Sequence, residues 1–163
     1  MQHVLVVDQP AICSVVQMGL ETDGSCRVTA ASTTEDALCV MLGDRPDAAI
    51  IDTVSARGQG FALASQAVDF GIPVLLMTGE PYTQARLSEV GCPYLAKPFH
   101  LHTLVERTRA LLDDSRQCRA ELSLLLRPMI AASAALRTTL ELARETLVRV
   151  ERDGLARSLR RDG

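Results

Sequence analysis

Tryptophan is absent from this chain of 163 residues, and aromatic residues make up only 3% of it: Phe61, Phe70, Tyr82, Tyr94 and Phe99. So thin a set is poor equipment for stacking on nucleic-acid bases. Positive charge is not in excess either. The net charge is −3, so no global basic field draws the chain to DNA or lipid. No apolar run reaches the roughly 18 residues that a membrane-spanning helix needs. The opening residues, Met-Gln-His-Val-Leu-Val-Val-Asp, lack the basic and long apolar regions of a secretory signal, and a cytoplasmic location is expected. Cysteine is scarce and scattered. Cys13, Cys26, Cys39, Cys92 and Cys118 are odd in number and show no C-x-x-C pair, which argues against zinc or thioredoxin-like chemistry. They are expected to be small buried hydrophobes in a reducing compartment. Gly58-Gln59-Gly60 is too short for a dinucleotide fingerprint. His3, His100 and His102 lack helical metal spacing and read as surface or partly buried histidines. No G-x-S-x-G supports a hydrolase. Lysine is nearly missing: Lys97 stands alone beside 16 arginines.

What is present is an ordinary globular balance, 47% apolar and 23% charged. At about 150 residues per domain, the length allows one domain with some chain to spare. That domain is large enough to bury a core without disulfides or metals. The charge splits along the chain. Residues 1–117 carry 8 basic and 14 acidic residues, and residues 118–163 carry 9 and 6. Six of the seven prolines and eight of the ten glycines fall in the first part. The division reads as a compact domain over 1–116 and a helical tail over 117–163.

In the first part, continuous apolar runs alternate with helical patterns. His3–Asp8, Ala48–Asp52 and Ile72–Thr78 read as strands buried on both faces. Cys26–Ala30 and Pro93–Ala96 are shorter strand candidates. Helices are expected over Pro10–Glu21, with proline in the first turn, and from the Ser32-Thr33-Thr34-Glu35 capping box to Leu42. Three more follow over Phe61–Phe70, Tyr82–Val90 and His100–Asp113. Five such βα units imply a parallel sheet with helices on both faces. Ligands in sheets of this kind bind beyond the carboxyl ends of the strands.

Asp8, Asp52, Thr78 and Lys97 stand at or just after four of those strand ends. Strand-terminal Asp and Thr are common turn and cap residues, so any one alone reads as structural. Together they form a chemical set. Two close carboxylates suit a hard cation such as Mg²⁺. A hydroxyl and an ammonium grip further anionic oxygens. The set suits a phosphoryl group carried on a carboxylate.

The segments Val-Leu-Val-Val-Asp8-Gln9-Pro10, Ile50-Ile51-Asp52, Pro73-Val-Leu-Leu-Met-Thr78-Gly79 and Tyr94-Leu95-Ala96-Lys97-Pro98-Phe99 resemble the landmarks of response-regulator receiver domains of two-component signalling. The resemblance covers about residues 1–115. It implies a flavodoxin-like α/β fold, a five-stranded parallel sheet of order 2-1-3-4-5 with helices on both faces. Asp52 would be the phosphoacceptor, taking the group from a histidine kinase or phosphotransfer protein. Asp8, Asp52 and the backbone carbonyl of Val54 would hold Mg²⁺. Thr78 would hydrogen-bond a phosphoryl oxygen, and Lys97 would pair with its charge. Thr78 and Tyr94 would be the switch residues. Gly60 would close the loop after the acceptor, Gly79 would leave room for phosphodonors, and Lys97-Pro98 would be a cis peptide. No enzymatic output is implied.

Two positions depart from the pattern. Gln9 stands where the family usually has a second acid, which lowers the charge available to Mg²⁺. Gln9 can still ligate through its carbonyl or hold a metal-bound water. After Asp52, Ser55-Ala56 replaces the usual Met-Pro pair, and Val54 has no polar side chain to orient a hydrolytic water.

In the tail, Leu122, Leu126, Met129, Ser133, Leu136, Leu140, Ala143, Leu147 and Val150 alternate in steps of four and three, a heptad seam. Pro128 is expected to divide it into helices over about 117–127 and 128–152. The broad apolar face points to a homodimer or a partner helix. Two other readings of the chain are an interaction module that works without phosphorylation and a transcription regulator with an Arg-rich DNA-binding tail. The short tail shows no helix-turn-helix or similar module, so nucleic acid is disfavoured.

Overall fold

The computed structural model describes residues 1–22, 24–54 and 58–159, without the side chains of residue 130 and residues 150–159. Residues 1–116 and 117–163 form two separate units. The first contains five strands, β1 (Gln2–Val7), β2 (Cys26–Ala31), β3 (Ala48–Asp52), β4 (Val74–Thr78) and β5 (Tyr94–Ala96). Helices α1 (Pro10–Glu21), α2 (Thr34–Gly43), α3 (Gly60–Asp69) and α4 (Pro81–Glu89) connect them, and α5 (Leu101–Leu159) follows β5. All strand pairs are parallel, in the order β2-β1-β3-β4-β5.

The apolar runs explain the layers. In β1, β3 and β4 nearly every residue is buried. Alternate side chains therefore feed two cores, one on each face of the sheet. Val4, Val6, Ile50, Leu75 and Met77 meet Val16 and Leu20 of α1 and Leu104 and Leu112 of α5. Leu5, Val7, Ile51 and Leu76 meet Met41 of α2, Leu63 of α3 and Leu87 of α4. Gly19 allows the close packing of α1, because a Cβ there would come within 2.7 Å of the Leu101 side chain.

Several local expectations change. Thr33, not Ser32, caps α2: its hydroxyl accepts the Asp36 N–H at 3.1 Å and donates to the Asp36 carboxylate. The N-cap is thus Thr33, one residue along from Ser32, and the Asp36 carboxylate bonds the Thr33 hydroxyl rather than its backbone N–H as a capping box would. Only Cys13 and Cys26 are buried. Cys92 is half-buried, and Cys39 and Cys118 are exposed because they lie on outward helix positions. His3 is buried, with Nε2 2.8 Å from the Thr29 hydroxyl.

In the second unit, Pro128 lies inside α5 rather than between the two helices expected at about 117–127 and 128–152. A proline there removes one N–H donor and costs about 3 kcal/mol. The flanking turns, rich in Leu, Ala, Glu and Arg, are strong helix formers and remain helical on either side of it. Leu122, Leu126, Met129, Leu136, Leu140 and Leu147 of the seam are all exposed.

Candidate functional site

Strand register brings the polar residues together. Val7 pairs with Ile51, so Asp8 follows β1 level with Asp52 at the end of β3. Asp52 pairs with Met77, the residue before Thr78. Thr78 pairs with Ala96, the residue before Lys97. Four adjacent strand ends therefore deliver four polar side chains to one edge of the sheet.

Lys97 holds the group together. Its Nζ lies 2.7 Å from Asp8 Oδ2 and 2.9 Å from Asp52 Oδ1. The side chains of Asp8 and Asp52 are 2% and 10% exposed, against 27% for Lys97. The ammonium thus enters from the solvent side and bridges two almost dry carboxylates. Burial alone would lower the Lys97 pKa, but the hydrogen bonds and charges of Asp8 and Asp52 outweigh it and hold the ammonium above its ordinary value. The second oxygen of Asp8 is also occupied, since Oδ1 accepts the Gln9 N–H at 2.6 Å. Cys13 donates its thiol to the Asp8 carbonyl at 3.4 Å. Burial pushes that thiol's pKa up, which suits a donor and not a nucleophile.

Thr78 is completely buried. Its carbonyl accepts the Lys97 N–H at 2.8 Å, and its hydroxyl accepts the Glu80 N–H at 3.2 Å. A hydroxyl that accepts in this way still has its own proton to donate. The Lys97-Pro98 peptide is cis. Gly60 packs directly on the acceptor strand. A Cβ there would overlap the Asp52 carbonyl oxygen and lie 2.8 Å from both C and Cα of Thr53. Gly79 is different, for a Cβ there would sit 3.8 Å from Lys97 Cβ, an ordinary contact.

The other expected residues lie at the margins. The Gln9 side chain is exposed, and the residue serves as N-cap of α1 without a side-chain cap bond. The Val54 side chain is exposed, and its carbonyl accepts the Gly58 N–H at 3.1 Å. Tyr94 is half-buried on β5 and stands outside the hydrogen-bonded group. It lines a groove of about 770 Å³ with Phe99, His100 and Arg107. Ser55 and Ala56 lie outside the described residues.

The donor set fits a small divalent cation. Two hard carboxylate oxygens already share one positive charge, that of Lys97, and oxygen-only coordination is what Mg²⁺ demands. The described residues contain no cluster of three or more His, Cys, Asp or Glu side chains, so protein carboxylates would supply only part of such a shell. Sequence reading missed Glu80, Thr83 and Gln84, which bracket Thr78. Pro81 at the first helical position was the available signal that α4 starts there.

No family model matches the chain. Among curated proteins, it is 31% identical over 115 residues to the "Probable transcriptional regulatory protein TcrX" of Mycobacterium tuberculosis, covering 67% of this chain and 49% of that protein. It is 31% identical over 131 residues to response regulator MprA of Mycobacterium bovis, covering 77% and 56%. The chain spans about half the length of the curated relatives it matches. Among solved structures, a CheY-like response regulator receiver domain protein from Methanospirillum hungatei superposes with a TM-score of 0.63 at 23% identity, covering 72% of this chain and 98% of that one. The non-phosphorylated HemR receiver domain from Leptospira biflexa superposes with a TM-score of 0.59 at 26% identity, covering 69% and 94%.

Proposed function

Residues 1–116 are a receiver domain of the response-regulator family, and from that premise we propose that the chain is a phosphoacceptor of two-component signalling. In this reading it is a signalling protein rather than an enzyme. Asp52 receives the phosphoryl group from a phosphohistidine of a cytoplasmic kinase or phosphotransfer protein. The P–N bond of the donor breaks, and a P–O bond to Asp52 forms. Mg²⁺ held by Asp8, Asp52 and the Val54 carbonyl would supply charge neutralisation as that transfer proceeds. Lys97 moves from pairing with Asp52 to pairing with the new phosphoryl oxygens, and Thr78 donates its unspent hydroxyl proton to one of them. With Gln9 in place of a second acid, metal affinity is expected to be weak.

The observation that carries this reading is the bridge of Lys97 to both Asp8 and Asp52. Incubation with acetyl phosphate and Mg²⁺ is expected to add one phosphoryl mass to the protein, and Asp52→Asn is expected to add none. A chain that gains no mass would leave the phosphorylation-independent interaction module as the better reading. Because Val54 presents only an exposed apolar side chain beside the acceptor, self-dephosphorylation is expected to be slow, minutes or longer. Val54→Asn, which can orient water, should shorten the lifetime measured on the purified phosphoprotein.

The tail is proposed to carry the output by self-association or by docking a partner helix. Its exposed leucines recur at seam spacing. Sedimentation is expected to give twice the chain mass, and Leu136→Asp with Leu140→Asp to give the monomer. Salt-dependent retention of the full chain on duplex DNA would instead favour a DNA-binding tail.

A further inference from the structure

Thr78 is held at two points by α4 and its N-cap. The Glu80 N–H donates to its hydroxyl at 3.2 Å, and Gln84 Nε2 donates to its carbonyl at 3.4 Å. A further bond lies within the helix turn itself. Glu80 is the N-cap of α4, yet its side chain makes no cap bond to the backbone. Its carboxylate instead accepts the Thr83 hydroxyl. Thr83 is buried and Glu80 is exposed, so the fixed partner is Thr83 and the movable one is Glu80.

This arrangement matters for charge. Glu80 lies two residues from Thr78 and next to Gly79, which offers no side chain to block a swing. A carboxylate released from Thr83 would add a loose negative charge at the strand edge that an incoming dianion must approach, a repulsion that salt screens. Release would also loosen the backbone N–H that orients the Thr78 hydroxyl, and with it the direction of the hydroxyl proton.

We propose that Thr83 is a positioning residue. By holding the Glu80 carboxylate on the first turn of α4, it seats the Glu80 N–H on Thr78 and keeps a negative charge out of the approach to Asp52. The inference rests on the phosphoacceptor reading of Asp52 and names a residue that sets how fast anionic donors reach it.

The test uses the full chain with acetyl phosphate and Mg²⁺ and follows phosphoryl gain by intact mass. Thr83→Val keeps the shape and deletes the hydroxyl. It is expected to slow phosphorylation about three- to fivefold, and added salt should shrink the deficit. Thr83→Ser should restore the rate. In a Glu80→Gln background, which removes the charge, Thr83→Val should slow phosphorylation less, and that smaller deficit should not depend on salt. Backbone ¹⁵N spectra supply a readout independent of phosphorylation: exchange of the Glu80 amide should quicken in Thr83→Val and not in Thr83→Ser. An unchanged Glu80 amide, or an equal slowing in both backgrounds, would overturn the proposal. A wild-type chain that gains no phosphoryl group overturns the acceptor reading instead, and the Glu80 amide still decides whether Thr83 positions it.

Discussion

Gly60→Ala is expected to cost the receiver about 3 kcal/mol or more, the range for overpacking against atoms that cannot yield. The added Cβ would meet the Asp52 carbonyl oxygen and the Thr53 backbone. Those atoms belong to the end of β3, where the Thr53 N–H is bonded to the Met77 carbonyl at 2.9 Å. No rotamer change relieves such a contact; either α3 or the acceptor strand must shift. Phosphoryl gain should fall with stability, because Asp52 moves with its own backbone. Urea denaturation compared with the wild type checks the first effect, and acetyl phosphate labelling checks the second. Gly79→Ala is the control. Its Cβ would sit at an ordinary 3.8 Å from Lys97 Cβ, so its stability should stay within about 0.5 kcal/mol of the wild type.

Lys97→Met is expected to be nearly as severe. It removes the cation shared by Asp8 and Asp52 and leaves two almost dry carboxylates facing each other. Breaking a buried pair in this way costs about 3 kcal/mol. Added Mg²⁺ should recover part of the loss in thermal melts, since a cation again bridges the carboxylates. The pH profile gives a second signature. In the wild type the hydrogen bonds and charges of Asp8 and Asp52 hold the folded-state Lys97 pKa above the ordinary lysine value of 10.5. Its contribution is therefore complete below that value and is lost as the pH climbs through the folded pKa. The wild type should lose this increment on the alkaline side, and Lys97→Met should lack that part of the decline. A variant with wild-type stability at neutral pH would show that Lys97 does not stabilise the carboxylate pair.

Much of the receiver is legible from residue pattern. The apolar runs of β1, β3 and β4 are buried along their whole length, which only a sheet covered on both faces requires. The strand-end residues Asp8, Asp52, Thr78 and Lys97 could be named because parallel strands of similar length must deliver their ends to one edge. The N-cap lies one residue beyond the expected Ser32 because Ser32-Thr33-Thr34 offers three hydroxyls in a row, and only the backbone bend at Thr33 selects one. Local propensity predicts a break at Pro128, while the helix-forming residues on both sides outweigh a single missing donor.

Order along the chain determined the fold class, the two-part division of charge and the identity of the polar set, since each depends on periodicity and composition that neighbours in sequence express. Tertiary structure alone decided which atoms meet. That Lys97 straddles both carboxylates follows from packing between strand ends distant in sequence, and that Gly60 leaves no space against the Asp52 carbonyl follows from how α3 settles on β3. Such distances depend on how whole helices settle on the sheet, and no local pattern encodes them.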